Sequence, residues 1–120
     1  MLLNEGGTWR VRRLPFQAQL APMTAALATD ADGDGVTDLL LAGNRDGQKP
    51  DLGRLASSSG TFLRGDGRGG FEAVPSGFRV RGEVRGLVRL GGRAEDLVVA
   101  VRNDAAPAVF SVTPAAAASR

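Results

Sequence analysis

Four aspartates fall within nine residues of this chain. Asp30-Ala31-Asp32-Gly33-Asp34-Gly35-Val36-Thr37-Asp38 sets carboxylates at the first, third, fifth and ninth positions and a glycine at the sixth. Calcium takes about six to eight oxygens at roughly 2.3–2.6 Å, and a tight loop of alternating acids supplies them. Asp30, Asp32 and Asp34 are expected to point inward. The carbonyl of Val36 adds a backbone oxygen, and Asp38 closes the shell from the start of the next strand. Gly33 and Gly35 allow the positive φ angles that wrap backbone around an ion. At average composition, such an arrangement arises by chance in on the order of one in 10,000 chains of this length. The bland alternative is an Asx-rich turn whose acids cap backbone amides. Mutual repulsion of four close carboxylates weighs against that alternative.

What the chain lacks narrows the chemistry further. Cysteine and histidine are both absent from its 120 residues. Disulfides, thiol nucleophiles, imidazole bases and Cys- or His-bound metals are thereby excluded. Any metal must sit on oxygen, which favours calcium or magnesium. An EF-hand is excluded as well: its twelfth position needs a bidentate glutamate, and Leu41 stands there. Magnesium-dependent phosphoryl transfer is the enzymatic alternative. Magnesium sites use one or two carboxylates and leave positions open, whereas this loop is built to saturate its ion. We therefore expect no enzyme and no catalytic residues.

Charge and length set the remaining bounds. Net charge is +2, and Lys49 is the only lysine beside fourteen arginines. So small a surplus gives no basis for nucleic-acid binding. The first residues, Met1 to Gly7, carry neither a basic region nor an apolar run, so no signal peptide is expected as written. No stretch approaches the ~20 apolar residues of a membrane span.

The elements that must hold the acidic loop read as short strands. Seventeen glycines and six prolines exceed average usage and fit frequent tight turns. Strands are expected at Trp9–Arg13, Thr24–Thr29, Asp38–Gly43, Thr61–Arg64, Phe71–Val74, Glu83–Leu90, Asp96–Arg102 and Ala108–Val112. Leu39-Leu40-Leu41-Ala42 and Leu97-Val98-Val99-Ala100 are apolar runs expected to be covered on both faces. Arg79, Arg81, Glu83 and Arg85 alternate with Val80, Gly82 and Val84, the pattern of a half-exposed strand. Trp9, Phe71 and Phe110 are expected in the core.

The chain also echoes itself. Leu3-Asn4-Glu5-Gly6-Gly7-Thr8-Trp9 matches Leu63-Arg64-Gly65-Asp66-Gly67-Arg68-Gly69-Gly70-Phe71, and Asp38-Leu39-Leu40-Leu41-Ala42 matches Asp96-Leu97-Val98-Val99-Ala100. Four strands per unit of about 60 residues suit a propeller blade, and propellers close with roughly four to eight. The expected architecture is all-β, about two four-stranded antiparallel blades of a longer propeller. Residues 1–13 form the outer hairpin of a preceding blade, 14–78 a complete blade with the calcium loop, 79–112 a partial blade and 113–120 a disordered tail.

The acidic loop followed at once by Asp38-Leu39-Leu40-Leu41-Ala42-Gly43-Asn44 resembles the FG-GAP/VCBS repeat of integrin-α-like propellers. Phe62-Leu63-Arg64-Gly65-Asp66-Gly67-Arg68-Gly69-Gly70-Phe71 is similar to that family's second hairpin. Lys49-Pro50-Asp51-Leu52-Gly53-Arg54 and Ser57-Ser58-Ser59-Gly60 resemble a linker of large bacterial VCBS proteins of the ASPIC/UnbV-associated type, and Gly82-Glu83-Val84-Arg85 and Val101-Arg102-Asn103-Asp104 the end of such chains. Leu55 and Ala56 depart from that linker's pattern of an aromatic and an acid. The resemblance implies a calcium-stabilised propeller, extracellular, periplasmic or at the cell surface, used in adhesion or in binding a protein or glycan. The second blade's loop, Leu90 to Asp96, is shorter and has lost the ladder of acids, so no ion is expected there. Self-association through open strand edges, or pairing with the rest of a longer propeller, follows from the missing strands.

Weaker patterns have plainer readings. Gly65-Asp66-Gly67-Arg68-Gly69-Gly70 matches GxGxxG in form, but a strand follows it rather than a helix. Arg64-Gly65-Asp66 is an RGD tripeptide on an expected loop tip. Asp46, Asp51 and Arg54 lie in the long Gly43–Gly60 connection, the best candidate for a partner-contacting surface.

Overall fold

Gly6 and Gly7, at φ +62° and +91°, turn the chain back on itself and pair β1 (Leu2–Glu5) with β2 (Thr8–Val11). Left-handed backbone at both central residues matches the twist of the strands a two-residue turn joins. The computed structural model describes residues 1–44, 59–92, 95–103 and 105–112. After the hairpin comes a 3₁₀ turn, Phe16–Gln19, then β3 (Met23–Thr29), β4 (Asp38–Gly43), β5 (Thr61–Gly65), β6 (Phe71–Ala73), β7 (Val84–Leu90), β8 (Asp96–Arg102) and β9 (Ala108–Val112). The described residues contain no α-helix.

The chain is all-β, with three open antiparallel sheets of two, four and three strands in the orders β1-β2, β3-β4-β5-β6 and β7-β8-β9. Each sheet is a meander of consecutive strands, and none closes on itself. Such open sheets are compatible with part of a propeller-like fold. The inner strands β3 and β7 pack on each other. Thr24 bridges them by donating its hydroxyl to the carbonyl of Val84, and each strand carries an irregularity beside that point, at Met23/Ala25 and Val84/Gly86.

One apolar core lies between the second and third sheets. Leu40, Ala42 and Phe62 meet Val84, Leu87, Val98 and Ala100, and the rings of Phe78 and Phe110 join them edge to face at 5.0 Å. Fully burying side chains such as Val84 and Val98 stabilises the fold by about 1.5–3 kcal/mol each. The opposite face of the second sheet buries Leu41 and Leu63. The run Leu39 to Ala42 is thus covered on both sides, as expected.

Its counterpart in β8 is not. Val98 and Ala100 face the core, but Leu97 and Val99 are only half-buried and Val101 is exposed. No described element covers the outer face of the third sheet, whereas on the second sheet Leu41 and Leu63 are buried on the face away from the core. Trp9 is likewise not in the core: 65% of its surface is exposed, because its face of the two-stranded hairpin meets no other sheet. Phe71 and Phe110 are half-buried.

Expected strand limits agree to within two residues, except around Arg79. There Phe78, Val80 and Glu83 are buried while Arg79 and Arg81 are exposed, yet residues 79–83 form no strand. Gly82, at φ +86°, breaks the extended backbone, and Val80 donates its N–H to the carbonyl of Ser59 (2.8 Å) outside any ladder.

Candidate metal centre

The loop joining β3 to β4 gathers its acids. One carboxylate oxygen from each of Asp30, Asp32, Asp34 and Asp38 lies within 4.8 Å of all the others. Backbone geometry explains how nine residues achieve this. Gly33 and Gly35 adopt φ of +80° and +85°, the left-handed conformation that folds the loop over its own side chains. Short polar contacts then fix each acid. Gly33 and Gly35 donate to the two oxygens of Asp30 (2.8 and 2.9 Å), Asp34 to Asp32 (3.2 Å) and Val36 to Asp34 (2.8 Å).

Asp38 anchors the arrangement. It is fully buried at the first residue of β4. Its Oδ2 accepts the N–H of Ala31 and its Oδ1 the N–H of Gly65, both at 2.9 Å. One carboxylate therefore ties the start of the loop, the start of β4 and the end of β5 together. The role of Gly65 is close approach. A Cβ at that position would collide with the carbonyl of Thr37. The turn itself uses Gly67 and Gly69, at φ +77° and +84°, with Asp66 accepting from Arg68 and Gly70 (2.7 and 2.9 Å). Those two amides hold the Asp66 carboxyl below its usual range.

Two arginines complete the surroundings, and the sequence reading assigned neither to the site. Arg64 on β5 donates from Nε to Asp32 Oδ2 at 2.8 Å. The β4–β5 register pairs Leu40 with Phe62, so its continuation sets Arg64 opposite Asp38. The RGD tripeptide is correspondingly no free tip: Arg64 is paired with Asp32, Gly65 is buried, and Asp66 caps its own turn. Arg89 on β7 donates to the hydroxyl of Thr29, to the carbonyl of Asp30 (3.1 Å) and to Asp96. It thus clamps the loop's first residue from the neighbouring sheet. Its ion pair holds the Asp96 carboxyl below the usual range.

The donor set fits a calcium ion. Oxygens on opposite sides of calcium stand about 4.6–5.2 Å apart, twice the Ca–O distance, and this cluster spans no more than 4.8 Å. Each carboxylate oxygen has two lone pairs, so the amide bonds leave capacity for a cation. Val36, expected to lend its carbonyl, is half-buried in the same loop. Among the described residues this is the sole group of three or more acids with such geometry. In the shorter loop before β8, Glu95 and Asp96 are described, while Arg93 and Ala94 lie outside the described residues. The same holds for Lys49 to Arg54 with Asp51, for Asp46, Leu55, Ala56, Ser57, Ser58 and Asp104, and for the tail at 113–120.

Comparison with protein-family models, with curated proteins and with solved structures finds no match to this chain. No helix among the described residues is long and apolar enough to cross a membrane.

Proposed function

We propose that this chain is a calcium-binding structural and binding module of a surface or exported β-propeller of the FG-GAP/VCBS type, engaging a protein or glycan partner and catalysing nothing. The observation that carries the reading is the convergence of four aspartate oxygens within 4.8 Å, braced by a fully buried fifth-strand-to-loop anchor at Asp38. Asp30, Asp32, Asp34 and Asp38 hold the ion with the Val36 carbonyl, and water completes the shell. Because the loop joins β3 to β4 and Asp38 reaches β5, the ion locks three strands of one sheet. The open sheets leave edges for further blades or for a second copy.

A second reading has its own support. Every acid of the loop already accepts a backbone N–H, and Asp32 is paired with Arg64. A loop so satisfied can fold without an ion and serve a metal-independent interaction module. Calorimetric titration with calcium separates the two. One ion per chain, with binding abolished in Asp34→Ala, supports the first reading. Absence of heat at millimolar calcium, with an unchanged fold, leaves the second.

A further inference from the structure

Asp32 borders two places at once. On one side is the acidic loop. On the other lies a cavity of about 590 Å³ between the second and third sheets, whose lining includes Asp32, Arg64, Phe62, Phe78, Phe110 and Val112. That volume falls within the roughly 300–1,000 Å³ typical of small-ligand sites, and an apolar wall with a few polar groups is their usual chemistry. Among the described residues the one cation in this lining is Arg64, and Asp32 neutralises it through the 2.8 Å ion pair.

We propose that this cavity binds a small ligand with an apolar body and a carboxylate, which Arg64 receives once Asp32 is drawn to the ion. The release step rests on the calcium reading above. The aromatic walls take the apolar body, and the guanidinium takes the carboxylate in the paired geometry it favours. The pair that must open has Arg64 48% and Asp32 13% exposed, so solvent reaches the guanidinium and weakens the pair on that side. The dication needs the carboxylate that Arg64 gives up, and its charge adds to the pull on an anion. Glu72 stands opposite Arg64 on β6 but is exposed, so it competes poorly for the freed guanidinium. Ion and ligand are thereby linked, and each strengthens the binding of the other by the same factor.

The test uses 4-phenylbutyrate and its neutral analogue 4-phenylbutanamide as probes, with affinity read from amide chemical-shift titrations. With calcium, the wild-type chain should prefer the carboxylate by about tenfold, the worth of a charge-assisted hydrogen bond. Without calcium that preference should vanish. Asp32→Asn frees Arg64 without any ion, so it should show the preference in calcium-free buffer. Arg64→Gln should lack it under every condition. Equal affinities for the two probes in Asp32→Asn, or a preference that survives Arg64→Gln, would overturn the site. A preference in Asp32→Asn beside a wild type indifferent to calcium would keep the site and remove the ion as its switch.

Discussion

Asp38 has no exposed surface and spends both oxygens on backbone, one on Ala31 and one on Gly65. An asparagine there keeps the shape but offers one acceptor where two are needed, and turns an NH₂ toward an N–H. Asp38→Asn should therefore cost about 1–3 kcal/mol, the penalty of a buried donor left unpaired, read as a lowered urea midpoint in calcium-free buffer. Asp96 starts β8 as Asp38 starts β4, but its partner is the guanidinium of Arg89. That ion pair, with Coulombic attraction behind it, lowers the Asp96 pKa from its ordinary 3.8 in the folded chain. A depressed folded value means the unfolded chain binds the proton more readily, so stability rises with pH through that window. The contribution is complete above 3.8 and is lost as pH falls through the lower folded value. Arg89→Gln should flatten this part of the acid limb: comparing urea midpoints at pH 5 and pH 3, the variant should lose less than wild type. The four acids of the loop were legible from spacing alone. Arg64 and Arg89 were not, because their contacts reach Asp32 from 32 residues away and Asp30 from 59.

At the scale of elements, the loop depends on how closely β4 and β5 approach. Gly65 lets the β5 backbone meet Thr37 where any side chain would collide. Gly65→Ala should push β5 away from Asp38 and weaken calcium binding by tenfold or more without touching a ligand. A calorimetric titration of the variant measures it, and undiminished affinity would show the close approach to be dispensable. Leu63 tests the opposite face. It is fully buried, and Leu63→Ala should cost about 2–5 kcal/mol, read by thermal unfolding. Most strand positions followed from apolar runs between Gly- and Asp-rich turns. The alternation from Arg79 to Arg85 misled because exposure there alternates without a ladder: Gly82 turns the backbone, and Val80 bonds to Ser59 instead of to a strand. Periodicity reports which side chains face inward, and it does not report whether a neighbouring strand is within reach.

For the whole molecule, the third sheet is apolar on both faces and, among the described residues, covered on one. Val88, Leu90, Val101 and Val109 are exposed, each with between 45% and 58% of its surface in solvent. Register sets Val88 beside Val99 and Val99 beside Val109, so these residues form a continuous outer face. An apolar sheet face and open edges favour association. Scattering-coupled size exclusion should find a mass that grows with concentration, and Val101→Lys with Val109→Lys should return it toward the monomer. A wild-type monomer at all concentrations would contradict this. All-β architecture was readable from the sequence because turns and apolar runs are local. The bare outer face was not, since Leu97 to Ala100 has the same composition whether one side is covered or two.

If the Asp30–Asp38 loop folds around calcium, thermal unfolding with and without the ion should differ. An ion at 100 times its dissociation constant stabilises the native state by about 2.7 kcal/mol, which for a chain of this size raises Tm by on the order of 10 °C. Wild type should show that rise in millimolar calcium, and Asp34→Ala should lose it. An identical Tm with and without calcium, in a chain that unfolds cooperatively in both, would contradict it.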